Sequence, residues 1–588
     1  MKSKAPIVLL ALITILTFSL PIFEAGFYFD DAGHSVLNAR REIQGKTRAQ
    51  FAVEAFDYMW SQQGRPALTW SFATLPLQTM IGENRTVYRL LHFAAWGVAL
   101  ASLLALFREL AGKIGGLLPL VVFLALIQLR NWHDGIVSYF LYVPILLTTG
   151  AWSIILWRRG EERASRLHTW VWAPAMYAAG LVSCNEFMLA FFPVVCALSL
   201  VQPSRFRSKL MGLIPFSSLT LLFLALSFWL KAHVSVTYWG VTRGPLEAIP
   251  SAYFKQLVAT LPFSCAYFNP MEFMTDWIRD VSLTEGCISL VGGASAAILT
   301  YMALDDKLVP AISHRVQLVL AGAALLLIPP ALTAVSLKYQ AELRWGWGYL
   351  QMPLQVAGLV FLVLSMLFWG MSRISCRPQF HKLLLFCFSG MIGVLFFGHS
   401  MFNQQMIARQ NAQATTPRNL CGTLLAHYQF GAPPAVTPLL LIDAPYLNLW
   451  QTYEFFFAHT RRAFTVSRWA DYLATPLPRD GTADTAEIYY LACPAALTEN
   501  DGAVIVFGRL SPDKAGPAPV GRWTLNNVMI ATRSTVGIQF QASAPAGGIS
   551  TFSRIHAERT LGGTSCSLYY SCEPLLLGGI STVLPTGN

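Results

Sequence analysis

Two adjacent carboxylates, Asp30 and Asp31 in Phe29-Asp30-Asp31-Ala32-Gly33-His34, follow the first long apolar segment of the chain, about residues 7–23. Charged groups at a lipid boundary are costly to place, so acids at that point suggest use. They can take a proton from a hydroxyl or hold a divalent cation such as Mg or Mn. Asp31, one residue further from the apolar segment, is the expected proton acceptor. Asp30 is the expected metal ligand or acceptor contact. A further acid, Asp134, stands beside His133 in Arg130-Asn131-Trp132-His133-Asp134-Gly135, and Glu186 lies in Ser183-Cys184-Asn185-Glu186-Phe187. With His34, these are the residues that could hold a metal or orient an acceptor, Asp30 and Asp134 first among them for a metal. The bland alternative for each is an acid that keeps a loop in water.

Cations suited to a phosphate lie elsewhere. Arg344 stands in Lys338-Tyr339-Gln340-Ala341-Glu342-Leu343-Arg344-Trp345-Gly346-Trp347-Gly348-Tyr349. A guanidinium grips phosphate through a fork of donors, Trp345 and Trp347 can lie along a lipid, and Lys338 and Tyr349 are at hand. The same run also reads as an ordinary interfacial aromatic belt. Arg65 follows the helix-breaking Gly64 and precedes Pro66, so its backbone is constrained. Its plain reading is an arginine snorkelling to headgroups.

The elements that must position these residues are membrane helices. Hydrophobic residues make up 54% of the 588 and charged residues 12%, and the mean hydropathy is +0.47. A soluble globular chain is excluded. Apolar runs near the roughly 20 residues a bilayer requires occur near 7–23, 88–107, 114–129, 136–157, 170–183, 186–201, 211–230, 286–303, 315–337, 350–370 and 382–401. That gives about eleven transmembrane helices, with 170–201 a hairpin of two short ones. Short loops carrying Arg108 and Lys113, Arg158 to Arg166, Arg205 to Lys209, and Arg373 to Lys382 are basic, which assigns them to the cytoplasm. The C-terminus then lies outside. The formal charge of +11 is dispersed among loops, so it is a topology signal and no sign of nucleic acid.

Residues 1–409 therefore read as a transmembrane domain with outer loops 24–87 and 231–285. Around Arg40–Trp60 the first loop suits a helix lying on the membrane surface. From about residue 410 short strand candidates alternate with Gly, Pro and Asp, at 438–442, 488–491, 504–507, 527–530 and 536–540, with a helix near 455–464. These imply a soluble mixed α/β domain over 410–588 on the outer side. Six cysteines fall outside the membrane in this topology, and Cys566 with Cys572, Cys421 with Cys493, and Cys265 with Cys287 is the simplest pairing.

The acid pair behind the first span, the second acid in a short outer turn and the Gly-Arg-Pro triplet ending the first loop resemble the GT-C type of integral-membrane glycosyltransferase. The pattern is similar to bacterial glucosyltransferases that modify the O-antigen of lipopolysaccharide, over roughly residues 5–400. The resemblance implies inverting transfer of a sugar from a polyprenyl-phosphate carrier to a lipid-linked or cell-surface glycan. It places the protein as a multi-pass component of the bacterial inner membrane with a periplasmic C-terminal domain. It also implies Asp31 or Asp30 as catalytic base, Asp134 as a metal or acceptor contact, and Arg65 beside Arg344 at the donor phosphate. An O-antigen polymerase or ligase would use outer arginines without the acid pair. A transporter would carry charged or broken helices at mid-membrane, where these spans are almost uncharged. An assembly protein for envelope glycans would need no acid pair at all.

Overall fold

The computed structural model describes residues 5–28, 30–112, 116–130, 133–201, 206–233, 240, 242–270, 282–304, 311–374, 378–428, 430–431, 437–443, 449–468, 487–492, 504–512, 523–534, 537–542, 558–561 and 564–569. The chain forms two units, Met1–His34 with Thr47–Arg409, and Ser35–Lys46 with Gln410–Asn588.

In the first unit the described helices are α1 (Ala5–Glu24), α2 (Asp30–His34), α4 (Arg48–Ser61), α5 (Leu75–Ile81), α6 (Arg85–Ala111), α7 (Leu118–Leu126), α8 (Tyr142–Glu162), α9 (Ala173–Cys184), α10 (Phe191–Val201), α11 (Phe206–His233), α12 (Ile249–Val258), α13 (Ser264–Phe268), α14 (Leu283–Ala303), α15 (Ile312–Ala334), α16 (Leu337–Glu342), α17 (Met352–Ile374) and α18 (Pro378–Gln410). The second unit holds α3 (Leu37–Ile43), α19 (Thr416–His427), α20 (Leu449–Thr460) and the strands.

Among the described residues eight helical stretches are long and apolar enough to cross a bilayer, fewer than the eleven expected. The physical reasons differ. α7 has nine residues, all but Leu120 buried. α8 carries Arg158, Arg159, Glu161 and Glu162 in its last turns. The stretch His168–Val201 is one continuous apolar segment, yet it folds back on itself. Asn185 breaks it with φ 49°. Tyr142, at the start of α8, donates to the carbonyl of Cys184 at 2.7 Å. A Cβ on Gly180, one turn earlier, would lie 2.5 Å from Met188 Sδ. Residues before and after the break thus share one depth, as a hairpin requires.

Without a hydrophobic drive between spans, close backbone approach holds helices together in lipid. α15 crosses α17 at such a contact. A Cβ on Gly322 would lie 2.8 Å from Gly358 O, and one on Gly358 would lie 2.7 Å from Gly322 O. Gly358→Leu should therefore force the two helices apart, at a cost of about 1–3 kcal/mol or more. A lowered melting temperature in detergent checks this, and an unchanged one would contradict the contact.

The segment expected to form one surface helix, about residues 40–60, is two helices, α3 and α4, with Gly45 between them at φ 62°. α4 is capped by Thr47, whose side chain accepts from Gln50 N while Gln50 reaches back to the Thr47 backbone. α3 belongs to the second unit. Its Glu42 pairs with Arg461, Ser35 accepts from Arg418 at 2.9 Å, and Val36 joins the core of Leu420, Leu424, Leu440, Phe456 and Phe507.

That unit is mixed α/β. Its strands are β1 (Leu439–Asp443), β2 (Thr465–Arg468), β3 (Ile488–Ala492), β4 (Val504–Pro512), β5 (Trp523–Ser534), β6 (Gly537–Ala542), β7 (Glu558–Leu561) and β8 (Thr564–Tyr569). They run in the order β2-β1-β3-β4-β5-β8-β7, with β6 on β5. β1 is parallel to both β2 and β3, and the β3–β4–β5 pairs are antiparallel. β1 and β3 fall where the apolar runs put them. β2 has four residues, and β7 and β8 are largely polar, so none of the three stands out by hydropathy.

The disulfide pairing is corrected in part. Cys265 is buried with its Sγ against Gly346 O at 3.2 Å, whereas Cys287 is exposed, so the two are not joined. Cys421 is a buried thiol. Its expected partner Cys493 lies outside the described residues, as do Cys572 and the side chain of Cys566.

Candidate active site

The site is organised by the first two turns of α6. The last four carbonyls of a helix lack intrahelical partners. Arg85 takes two of those α1 leaves, Phe23 O at 2.9 Å and Glu24 O at 2.7 Å. Four residues on, the fully buried Arg89 donates to Ala25 O at 3.0 Å, to Val137 O at 2.7 Å and to Gly26 O. One guanidinium thus ties the chain leaving α1 to the loop between α7 and α8.

The neighbouring Tyr88 donates its hydroxyl to Asp31 Oδ2. Phe140 N points at Asp31 Oδ1 from 3.4 Å, and His34 Nδ1 lies 3.9 Å from the same oxygen. Asp31 is wholly inaccessible to solvent. Asp30 precedes it on α2 and is half-buried. Among the described residues no group donates to the Asp30 carboxylate. The pair is therefore split into an enclosed acid and an open one. Gln78, on α5, contacts His34 at 3.4 Å.

His92, a turn beyond Tyr88, meets Ile136 O at 2.6 Å and Leu141 N at 3.5 Å. Asp134 holds the same loop from within. Its Oδ2 accepts from Arg130 N at 2.7 Å, and its Oδ1 from Ile136 N at 2.7 Å and Val137 N at 3.0 Å. Burial pushes this carboxyl up, while the three backbone donors and Arg130 pull it down. Three non-glycine residues of this loop are left-handed, His133 at φ 47°, Tyr139 at 61° and Leu141 at 64°. Each such residue costs on the order of 1–3 kcal/mol and persists only where its surroundings over-determine it. Here Arg89, His92, Asp31 and Asp134 do so.

His133 leads to a second cluster. Its Nδ1 meets the Tyr139 hydroxyl, and its Nε2 lies 3.9 Å from Glu342 Oε2. Lys338 Nζ is 3.9 Å from the same oxygen, and the Tyr349 ring lies 5.1 Å from the imidazole. Burial, then the charge of Lys338, push the His133 imidazole down to about 3, so it is neutral at pH 7. A histidine held below its unfolded value of about 6.5 binds fewer protons folded than unfolded between those limits. Stability should therefore fall as pH drops from about 6.5 toward 3. Melting temperatures of wild type and His133→Asn, which tolerates φ above zero, check this. The wild type should lose more than the variant over that window, and equal losses would refute it.

The remaining candidates divide. Arg65 and Glu186, far apart in sequence, form an ion pair at 2.7 Å, and Thr69 meets Ser183 at 2.8 Å beside it. Arg344 is exposed, and among the described residues no ion pair ties it to the other candidates. No three His, Cys, Asp or Glu side chains among the described residues are gathered to hold a metal ion. Asp134 uses its oxygens on backbone N–H groups, so Asp30 and Asp134 do not offer a metal two open carboxylates.

No protein-family model matches the chain. No curated protein sequence matches it either. Among solved structures it is similar to ArnT from Cupriavidus metallidurans bound to undecaprenyl phosphate, at 10% identity over 84% of this chain and 94% of that one, with a TM-score of 0.38. The apo state of that protein matches at 11% identity over 86% and 98%, again with a TM-score of 0.38. At that score the likeness carries no weight here, and the chemistry is argued from the residues.

Tyr88, Arg89, His92 and Glu342 were not singled out from the sequence. Arg89 and His92 had a signal, since they sit three apart at the start of an apolar span, where ionisable residues are rarely idle. Glu342 had none, because it looks like any acid in a polar turn.

Proposed function

We propose that the protein is a membrane glycosyltransferase that moves a sugar from a polyprenyl-phosphate carrier to a glycan or lipid-linked acceptor. The observation that carries this reading is the division of the acid pair at the end of α1. Asp31 is enclosed by Tyr88 and Phe140, while Asp30 stays open. Within the reading the open acid, Asp30, is the base, and Asp31 is the neighbour that fixes it in place.

The step is a single displacement. The acceptor hydroxyl gives its proton to Asp30, its oxygen bonds to the anomeric carbon, and the bond from that carbon to the carrier phosphate breaks. The electron pair leaves with the phosphate, and inversion follows from attack opposite the leaving group. A departing phosphate needs fixed positive charge. Arg344 supplies it in this scheme, because its side chain is exposed and, among the described residues, no ion pair neutralises it. The basic loops support an outer-face site in the bacterial inner membrane, with residues 410–588 on the periplasmic side.

Membranes containing the protein, supplied with radiolabelled polyprenyl-phosphate sugars, test this. Label should pass to an acceptor, and Arg344→Ala should raise KM for the donor more than it lowers kcat. Failure of every polyprenyl-phosphate sugar to turn over would overturn the reading.

A further inference from the structure

Lys338, Glu342 and His133 come together from two separate loops, and their chemistry is wrong for an anion. Glu342 Oε2 lies 3.9 Å from both Lys338 Nζ and His133 Nε2. A phosphate reaching Lys338 would meet that carboxylate at close range, and like charges so placed repel. A polyhydroxyl group suits the cluster far better. A carboxylate accepts from two hydroxyls at once, an ammonium donates, and a neutral imidazole can do either. Glu342 Oε2 and His133 are themselves buried, while the remainder of the Glu342 side chain and Lys338 reach the surface, at 34% and 17% exposed.

Aromatic rings border it. Tyr349 lies 5.1 Å and Tyr139 5.6 Å from the His133 ring, and Tyr339 lies 4.3 Å from Tyr349. Such faces pack against the C–H faces of a sugar ring. His133 and Tyr139 both have left-handed φ in the loop where their side chains meet.

We propose that Glu342, Lys338 and His133 form a subsite for the hydroxyls of a pyranose, with Glu342 the residue that sets which hydroxyl pattern is accepted. The proposal rests on the glycosyltransferase reading and names a substrate part for it. The pyranose is either the sugar of the donor or a sugar of the acceptor glycan, and both present the same chemistry.

Glu342→Gln separates the possibilities, because the sign of its effect differs. At a hydroxyl subsite, loss of the charged acceptor raises KM by about 10- to 100-fold. At a phosphate subsite, loss of a repelling charge lowers KM for the donor. Steady-state kinetics with a polyprenyl-phosphate hexose, varying donor and acceptor separately, assign the source. A raised donor KM places the transferred sugar here, and a raised acceptor KM places the acceptor. Glu342→Asp should recover part of the loss, and melting temperatures of both variants should match wild type. Unchanged KM for both substrates, or a lowered donor KM, overturns the subsite while leaving the glycosyltransferase reading intact. Absence of transfer by the wild type removes that reading and the subsite with it.

Discussion

Asp30→Asn is expected to lower kcat by about 10²–10⁴, the usual loss when a general base can no longer accept a proton. The side chain keeps its shape and is half-buried, so the protein should fold and bind both substrates with little change in KM. Asp31→Asn should behave differently. Its amide oxygen can still accept from Tyr88, but its NH2 group faces Phe140 N, a donor that now lacks an acceptor. The expected outcome is a lower melting temperature with kcat within about tenfold of wild type, since a positioning contact is weakened and the base remains. Parallel kinetics and thermal melts on the two variants distinguish these results. Equal loss of kcat in both, with equal stability, would mean that the two acids share the proton. Full activity in both would exclude them from the chemistry.

Arg89→Met should cause the largest loss of stability of any single change in the site. The arginine is fully buried, and its guanidinium satisfies the carbonyls of Ala25, Gly26 and Val137. Methionine fills much of the volume but removes all three of these hydrogen bonds, leaving Ala25 O to Arg85 Nε, and takes away a buried positive charge that acts on Asp31. Breaking a buried charge network by removing one partner costs about 3–5 kcal/mol. The loop strained at His133, Tyr139 and Leu141 then loses one of its anchors, so activity should fall with stability. A melt in detergent, with Arg89→Lys as the conservative variant, measures this. Lysine keeps the charge but cannot fork to three carbonyls, so it should recover only part of the loss. A variant as stable as wild type would show that the network contributes nothing to the fold.

The parts of the fold set by hydropathy and by turn residues could be read from the sequence. The apolar runs marked the main helices, and the break at Asn185 agrees with the hairpin that loop charge required. β1, β3, β4 and β6 followed short apolar runs between Gly, Pro and Asp. What hydropathy does not encode went unread. α7 is apolar throughout but only nine residues long, because the chain leaves the helix to build the loop at 127–141. The docking of α3 with the second unit depends on pairs such as Glu42 with Arg461, distant in sequence. At the site, the acid pair, Arg65 and Glu186 were visible as residue types in suspicious places. Their relations were not. Arg65 and Glu186 were separate candidates for separate roles, and they form one ion pair. Asp134 looked like a metal ligand and holds its own loop through three backbone N–H groups. Burial decides between such roles, and burial of a loop acid is a tertiary property that the local sequence does not carry.

The most direct test of the central claim is transfer by the purified full-length protein in proteoliposomes supplied with a radiolabelled polyprenyl-phosphate hexose and a lipid-linked glycan acceptor. The account predicts labelled acceptor, release of polyprenyl phosphate in equal amount, inversion at the anomeric carbon, and loss of all three signals in Asp30→Asn. Transfer that persists at the wild-type rate in Asp30→Asn would contradict it.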